Sequence, residues 1–396
     1  MSTETAPGTP SWLASVNDRA ALELALDRGV LTRNLIHLQT GLSKPTSSQV
    51  IARLVANDLL IDVGLVSGTR GPRPTGYVPN VDLELGVAMD VTEVRTSASM
   101  VNAFGDPFPV VHVQRERSSS VATGAELAVE EVGQALRDAA QAAGRDPRDI
   151  RHVLLSLPAS VSPTEDSLDF AGSLVPWPLT GLTWVLSEGL GVTVSLDRDA
   201  YLAAAVELSE RPGHPNLSLF WIGWGLGLVT VSEGRIVRGG AGRAGEVGYW
   251  VPDPARPNVG MQELLGMPGL IDLMQRAGFR GDDFPGATAH LHELCSPGRD
   301  RSDAEQAVLE ELTERIVALA LGAVFVSDPS VLVLGGETGA AGGTVLAGMV
   351  ADRLLQRSLW DVPVEPSHFT EDQPLEGARE KLRELLTEAL LSRASE

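Results

Sequence analysis

Residues 219–249 constrain the fold more than any other part of the chain. They read Leu219-Phe220-Trp221-Ile222-Gly223-Trp224-Gly225-Leu226-Gly227-Leu228-Val229-Thr230-Val231, turn at Gly234, and continue Gly239-Gly240-Ala241-Gly242-Arg243-Ala244-Gly245-Glu246-Val247-Gly248-Tyr249. Two apolar, β-rich runs joined through glycines predict a hairpin whose backbone N–H groups approach a ligand closely. Around it, strand-like and helix-like segments alternate. Residues 85–91 and 98–102 read as opening strands, 125–143 as a helix, 152–157 and 192–196 as strands, and 199–208 as a helix. A long apolar helix over 303–326 leads into the strand 331–334, closed by Gly335-Gly336. Such alternation, with Gly-rich turns at strand ends, implies α/β lobes around a cleft. The amphipathic segment 375–393 reads as a closing helix packed on the first lobe.

With 396 residues the chain exceeds one compact core and implies two or three domains. Its 43% hydrophobic and 21% charged content suits an ordinary globular protein. No apolar run approaches the ~18 residues of a membrane span. The start, MSTETAPGTPSW, lacks the basic-then-apolar order of a signal peptide. A cytoplasmic protein without membrane partners is expected. Cys295 is the sole cysteine, which excludes intrachain disulfides and thiolate zinc clusters. The net charge of -21 argues against a general nucleic-acid coat. Within residues 31–80, however, Arg33, Lys44, Arg53, Arg70 and Arg73 face only Asp58 and Asp62, so any DNA contact belongs there.

The local pattern agrees. After a polar tail over 1–15, apolar spacing from Asn17 predicts a first helix ending at Gly29. Thr32 caps a second helix ending at Thr40-Gly41. Ser43 caps a third, with Pro45 in its first turn and Val50, Ile51, Leu54 and Val55 as its apolar stripe. Two strand-like runs, 59–63 and 75–78, then flank Arg70-Gly71-Pro72-Arg73-Pro74. This predicts a winged helix-turn-helix over 16–80 whose wing arginines suit a minor groove, whereas a wing that merely turned the chain would leave them solvated. Lys44, Thr46, Ser47, Ser48 and Arg53 lie off the apolar stripe of the third helix and join Arg33, Arg70 and Arg73 as candidate DNA contacts. Ser47 and Ser48 suit a plain surface equally well. His37 reads as a packing residue or a phosphate contact.

The hairpin and the run that follows it resemble the second phosphate hairpin and signature of the ROK family, which includes bacterial repressors and sugar kinases. The wing also resembles the Gly-Arg-Pro wing of ROK repressors, and the likeness extends over residues 15–394. It implies an actin-like (ribonuclease H-like) two-lobed sugar-kinase fold over 81–396, acting as a sensor and dimerisation domain. In ATP-binding members the hairpin reads Gly-Thr-Gly-Ile-Gly and the signature ends Gly-Glu-x-Gly-His. Here Trp224 replaces the Thr and Tyr249 the His. The first cradle, Asp-x-Gly-Gly-Thr in the kinases, is Asp90-Val91-Thr92-Glu93-Val94, with a carboxylate where phosphate should lie. At close range that repulsion costs about a few kcal/mol. The family's Cys-x-Cys-Gly-x-x-Gly-Cys zinc motif is absent, so neither metal nor cofactor is expected.

The sugar side keeps more of the pattern. Asp197-Arg198-Asp199-Ala200-Tyr201 stands for Glu-Asn-Asp-Ala-Asn, which places Asp199 at the catalytic base. Glu246 and Glu263 match the sugar-orienting glutamates, Leu157-Pro158-Ala159 the Leu-Pro-Gly loop, and Ser173 with Trp177 an Asn-x-x-x-Trp segment. Ser173, Trp177, Arg198, Asp199, Glu246, Tyr249 and Glu263 are the expected ligand contacts. Arg198 points either to an anionic ligand or to pairing with Asp197 or Glu246. The resemblance implies a non-enzymatic repressor of carbohydrate-related genes, a homodimer or homotetramer binding operator DNA and sensing a sugar or sugar derivative. The alternatives are a sugar kinase with an accessory DNA-binding domain and a dimeric regulator that needs no ligand.

Overall fold

The computed structural model describes residues 8–67, 73–115, 123–170, 174, 176–358, 361–368 and 372–395. The head comprises helices α1 (Pro10–Arg28), α2 (Arg33–Thr40) and α3 (Lys44–Ala56), then an antiparallel hairpin of β1 (Leu60–Leu65) and β2 (Thr75–Pro79). The expected tail over 1–15 is too long. Thr9 accepts the Trp12 N–H and Pro10 occupies the first turn, so α1 begins seven residues before Asn17. Thr32 and Ser43 cap α2 and α3 as expected, and Gly41 takes the left-handed turn between them.

The first lobe holds a sheet ordered β5-β4-β3-β6-β9, from β3 (Leu85–Val91), β4 (Arg95–Asn102), β5 (Val110–Gln114), β6 (Ile150–Leu157) and β9 (Thr193–Arg198). Strands β3, β6 and β9 run parallel, while β4 and β5 turn back antiparallel. Helices α4 (Gly124–Ala142) and α5 (Leu182–Leu190) bury Val132, Leu136 and Leu186 in the same cluster as Val87, Met89 and Met100 of the sheet. A short ribbon, β7 (Ser160–Val161) with β8 (Leu168–Asp169), leaves this lobe toward the second.

The second lobe is ordered β12-β11-β10-β13-β14, with β10 (Leu217–Ile222), β11 (Leu226–Ser232), β12 (Arg235–Ile236), β13 (Val331–Gly335) and β14 (Val364–Pro366). Strands β10 and β11 are the hairpin read from the sequence, in register from Ser218↔Thr230 to Ile222↔Leu226. Helices α7 (Met261–Leu265), α8 (Met267–Arg276), α9 (Phe284–Leu294), α10 (Asp303–Ser327) and α11 (Gly336–Ser358) complete it. Helix α6 (Asp199–Glu210) lies between the lobes, sending Tyr201 and Ala204 into the second sheet and Leu202 toward the closing helix α12 (Gln373–Arg393).

Helix α12 has 21 residues, about 30 Å of rise. Its Leu382, Leu386 and Leu390 share one buried cluster with Ala88 and Leu154 of the first sheet and with Ala21, Leu22, Ala25 and Leu60 of the head. Arg19 of α1 adds a two-pronged bond to Glu388 at 2.7 and 3.0 Å. At the other end, the buried Glu207 is bound by Arg211, Ser367 and Gln373, and Arg211 also reaches Glu365. No helix among the described residues is long and apolar enough to cross a membrane.

Candidate functional site

Strand β9 and the first turn of α6 deliver three charged residues to the root of the cleft. Asp197 is buried and clasped by Arg238 at 2.6 and 2.9 Å and by Lys381 of α12 at 2.5 Å. Arg198, only 4% exposed, donates to the Ala244 carbonyl at 3.0 Å, lies 3.2 Å from Glu246, and packs over the Tyr201 ring. Of the two readings of Arg198, pairing with Glu246 is what the structure shows. Asp199 opens α6, and one carboxylate oxygen accepts the Ala200 N–H at 2.6 Å. Desolvation pushes its pKa up to about 6 against the pull of Arg198 and that N–H, with Glu246 and Asp197 adding repulsion.

The signature loop supplies the opposite wall. Gly245 has φ +82°, and a Cβ there would stand 1.6 Å from the Leu228 carbonyl, so the turn requires glycine. That turn presents Glu246, which accepts the Ser160 hydroxyl at 2.5 Å. Tyr249 is 64% exposed, and its ring meets Phe170 of the first lobe at 4.4 Å. Glu263 accepts the Gly260 N–H at 2.9 Å and, with Glu246, stands near enough to Tyr249 to raise its pKa, after desolvation. The structure therefore gathers Arg198, Asp199, Glu246, Tyr249 and Glu263 around one cleft. Trp177 is corrected. It is 3% exposed, its Nε1–H donates to Glu131 at 2.9 Å, and Arg115 covers its ring, so it supports the first-lobe core. Ser173 lies outside the described residues.

Three further residues contribute to the site, and two of them, Phe170 and Glu337, escaped the sequence reading. Phe170 holds a left-handed backbone, φ +57°, beside Tyr249. Asp90, 6% exposed, accepts the Ser156 hydroxyl at 2.6 Å, and burial lifts its pKa to about 7, with further repulsion from Asp199 and Asp372. Glu337, on the first turn of α11, has its pKa raised by burial, and its Oε2 has no hydrogen-bond partner. That oxygen lies flush on Gly223, where a Cβ would stand 2.0 Å away. Positive φ at a non-glycine residue is the one signal that marks Phe170, and it is invisible in sequence.

In the head, Arg33, Lys44 and Arg73 are exposed, while Thr46 and Ser48 are half-buried at the start of α3. Thr46 pairs its hydroxyl with Ser43 at 2.8 Å, and Ser48 donates to the Lys44 carbonyl at 3.0 Å. Two expected contacts are corrected. Ser47 is fully buried and donates to the Ser43 carbonyl, so it belongs to the helix packing. Arg53 turns back to Asp18 of α1 with bonds of 2.8 and 2.6 Å, holding α3 on α1. Arg70 lies outside the described residues. His37 donates its Nδ1–H to the Leu42 carbonyl at 2.7 Å, a packing role in the turn. Gln49, exposed on α3, was not among the expected contacts, although its amide suits an adenine edge.

The model of the ROK family matches residues 110–383 of the chain. The protein belongs to the ROK family. A xylose repressor from Caldicellulosiruptor bescii is 21% identical over 61% of this chain and 60% of its own length. A putative xylose repressor from another Caldicellulosiruptor is 23% identical over 62% and 61%. The match thus spans about three-fifths of these curated relatives. Among solved structures, a ROK family transcriptional regulator, a homologue of the E. coli MLC protein, superposes with TM-score 0.68 at 17% identity, covering 97% of this chain and 99% of that one. A ROK glucokinase from Streptomyces griseus, solved with glucose and AMPPNP, gives 0.58 at 20% identity over 76% and 99%.

The residues present do not fit the nucleotide of the ROK kinases. The Gly223 N–H is turned onto the Gly225 carbonyl at 2.9 Å and the Leu228 N–H onto Gly245 at 2.9 Å, so neither is free to cradle phosphate. Glu337 fills the space over Gly223 with an acid group. Trp224 sets its ring edge against Phe284 at 5.2 Å, and its carbonyl accepts Gln262 at 2.9 Å, which pins the turn. Asp90, whose pKa burial raises to about 7, is already engaged by the Ser156 hydroxyl. The zinc of other ROK proteins fits no better, with one buried cysteine in the chain and Tyr249 in place of the His.

Proposed function

We propose that the chain is a sequence-specific DNA-binding regulator, a repressor of carbohydrate-related genes, whose ROK domain senses a sugar or sugar derivative without phosphorylating it. The carrying observation is the union of a capped helix-turn-helix with a ROK cleft whose second phosphate turn is occupied by Glu337. The repressor names among its relatives support the same reading. Lys44, Arg33, Gln49, Ser48 and Thr46 address bases and phosphates, and Arg73 with Arg70 serves the wing. Two heads in a homodimer or homotetramer read half-sites about one or two helical turns apart. A ligand that binds better to one cleft geometry shifts the population of head arrangements by its differential affinity.

Asp199 favours a second reading, a sugar kinase with an accessory DNA-binding domain, because its pKa of about 6 would suit a general base. One pair of experiments separates them. Selection of genomic fragments by the full chain should enrich a palindromic motif that a Lys44→Ala/Arg73→Ala variant loses. Incubation with ATP and a panel of sugars should leave the ATP unconsumed. No enriched motif together with sugar-dependent ATP consumption would reverse the assignment.

A further inference from the structure

We infer that α12 is the element that carries movement of the second lobe to the N-terminal head, with Gly377 and Lys381 as its positioning residues at the cleft end. The inference rests on the sensing role proposed above and names its route. Helix α6 forms the first link. Asp199 at the cleft root is its first residue, and Ala200, Tyr201, Ala203 and Ala204 are buried in one cluster with Leu219 and Val229 of the second sheet, so α6 moves with that lobe. Its Leu202 meets α12, where a Cβ added at Gly377 would stand 2.2 Å from the Leu202 carbonyl oxygen. Backbone touches backbone there, and no flexible side chain lies between the helices to absorb a shift. Asp197 forms the second link, because it ties Arg238 of the second lobe to Lys381 of α12.

The far end of the same helix holds the head. Gln373, which donates to Glu207 of α6 at 2.5 Å, Gly377 and Lys381 recur every four residues and so share one face. Glu388, two turns and about 10 Å beyond Lys381, returns to that face and grips Arg19 of α1. On the neighbouring stripe Leu382, Leu386 and Leu390 join the first sheet to α1. In the last turn Arg393 donates to Glu84, the residue before β3, at 2.6 Å. Neither glycine nor proline occurs from Ala378 to Arg393, so a displacement at Gly377 is not lost in a kink. A shift of α6 therefore reaches Arg19 as movement of one stiff rod, and any cleft geometry that displaces α6 biases the arrangement of the head.

The test needs no ligand. In a Phe170→Cys/Tyr249→Cys variant of the full chain a short bismaleimide joins the lobes at the cleft mouth, where the two rings stand 4.4 Å apart, while the native Cys295 is buried. Native-state hydrogen exchange should show the amides of α1 slowed about fivefold or more on joining. Lys381→Met added to this variant leaves Asp197 its bonds to Arg238 and should cut the response to about twofold or less. Gly377→Ala, which forces α12 off Leu202, should do the same, whereas Gly348→Ala on α11, with open space around it, should keep the full response. No slowing of α1 on joining overturns the inference. Equal slowing with and without Lys381 also overturns it, since general stabilisation by the crosslink would give that result. Slowing that depends on Lys381, in a chain that enriches no genomic fragment, sustains the link and removes the regulator reading.

Discussion

Replacing Asp90 with Asn should raise the protein's stability at alkaline pH relative to its stability in acid. The carboxyl is 6% exposed, accepts one 2.6 Å bond from Ser156, and has its pKa raised from 3.8 to about 7. A raised carboxyl pKa means that the folded state holds the proton more tightly than the unfolded chain. Native stability is therefore greatest below the unfolded value of 3.8 and declines as pH rises through the interval up to about 7. About three units at 1.36 kcal/mol each put the full decline near ~4 kcal/mol. Asn has the same shape, accepts the same Ser156 bond and never ionises. Its amide N–H needs a new partner, a cost independent of pH, so the slope rather than the offset reports the buried charge. Urea unfolding of both proteins at half-unit steps from pH 4.5 to 8 should show their stability difference growing in favour of the Asp90→Asn variant by about 2 kcal/mol or more. A difference that stays flat across that range would refute the assignment of Asp90 as a desolvated, proton-holding acid.

Other outcomes follow from the same geometry. Arg211→Met strands the fully buried Glu207 and should cost about 3–5 kcal/mol, read as a fall in urea midpoint; a loss under 1 kcal/mol would mean that the Glu207 network holds little. Arg53→Ala leaves Asp18 without its bidentate partner, so chemical denaturation should show a loss of about 1–3 kcal/mol, whereas an unchanged midpoint with weakened DNA binding would return Arg53 to the DNA surface. Lys44→Ala and Arg73→Ala should each lower the salt slope of operator binding by about one, measured by anisotropy titration from 50 to 200 mM salt. Ser47→Ala should not change that slope, because its hydroxyl never reaches solvent. Trp177→Phe should lower the melting temperature through loss of the Glu131 bond yet leave ligand-induced shifts intact.

The sequence disclosed those parts of the fold that depend on local chemistry. Caps at Thr32 and Ser43, the glycine turns of 219–249 and the apolar spacing of 375–393 each encode an element within a few residues of itself. Helix α11 was hidden for the same reason. Gly336 reads only as the close of the preceding strand, and with Gly339, Gly342 and Gly343 the segment has low intrinsic helix propensity, so packing on the second sheet makes a helix of it, kinked where Gly343 takes φ +51°. Site residues divide along a similar line. Motif order brought Asp199, Glu246 and Tyr249 to the cleft, but it left open whether Arg198 meets a ligand or pairs with Asp197 or with Glu246, 48 positions later, and gave no means of seeing that Trp177 turns inward to Glu131. Ser47 was misplaced by one step around α3, where helical periodicity alone leaves the edge of the apolar face undefined. Glu337 carried no sequence signal, since its meaning comes from a contact with Gly223, more than a hundred residues upstream.

The shared cluster of α12, the first sheet and α1 implies that the N-terminal head is not a tethered bead. Its core is finished by leucines encoded some 360 residues later, and Glu388 fastens it from outside. Exchanging heads between relatives at residue 80 would thus graft half of a packed interface onto a stranger's helix. A working chimera must carry the matching face of α12 as well. For the same reason, clipping the last ten residues of the chain is an operation on its N-terminal domain.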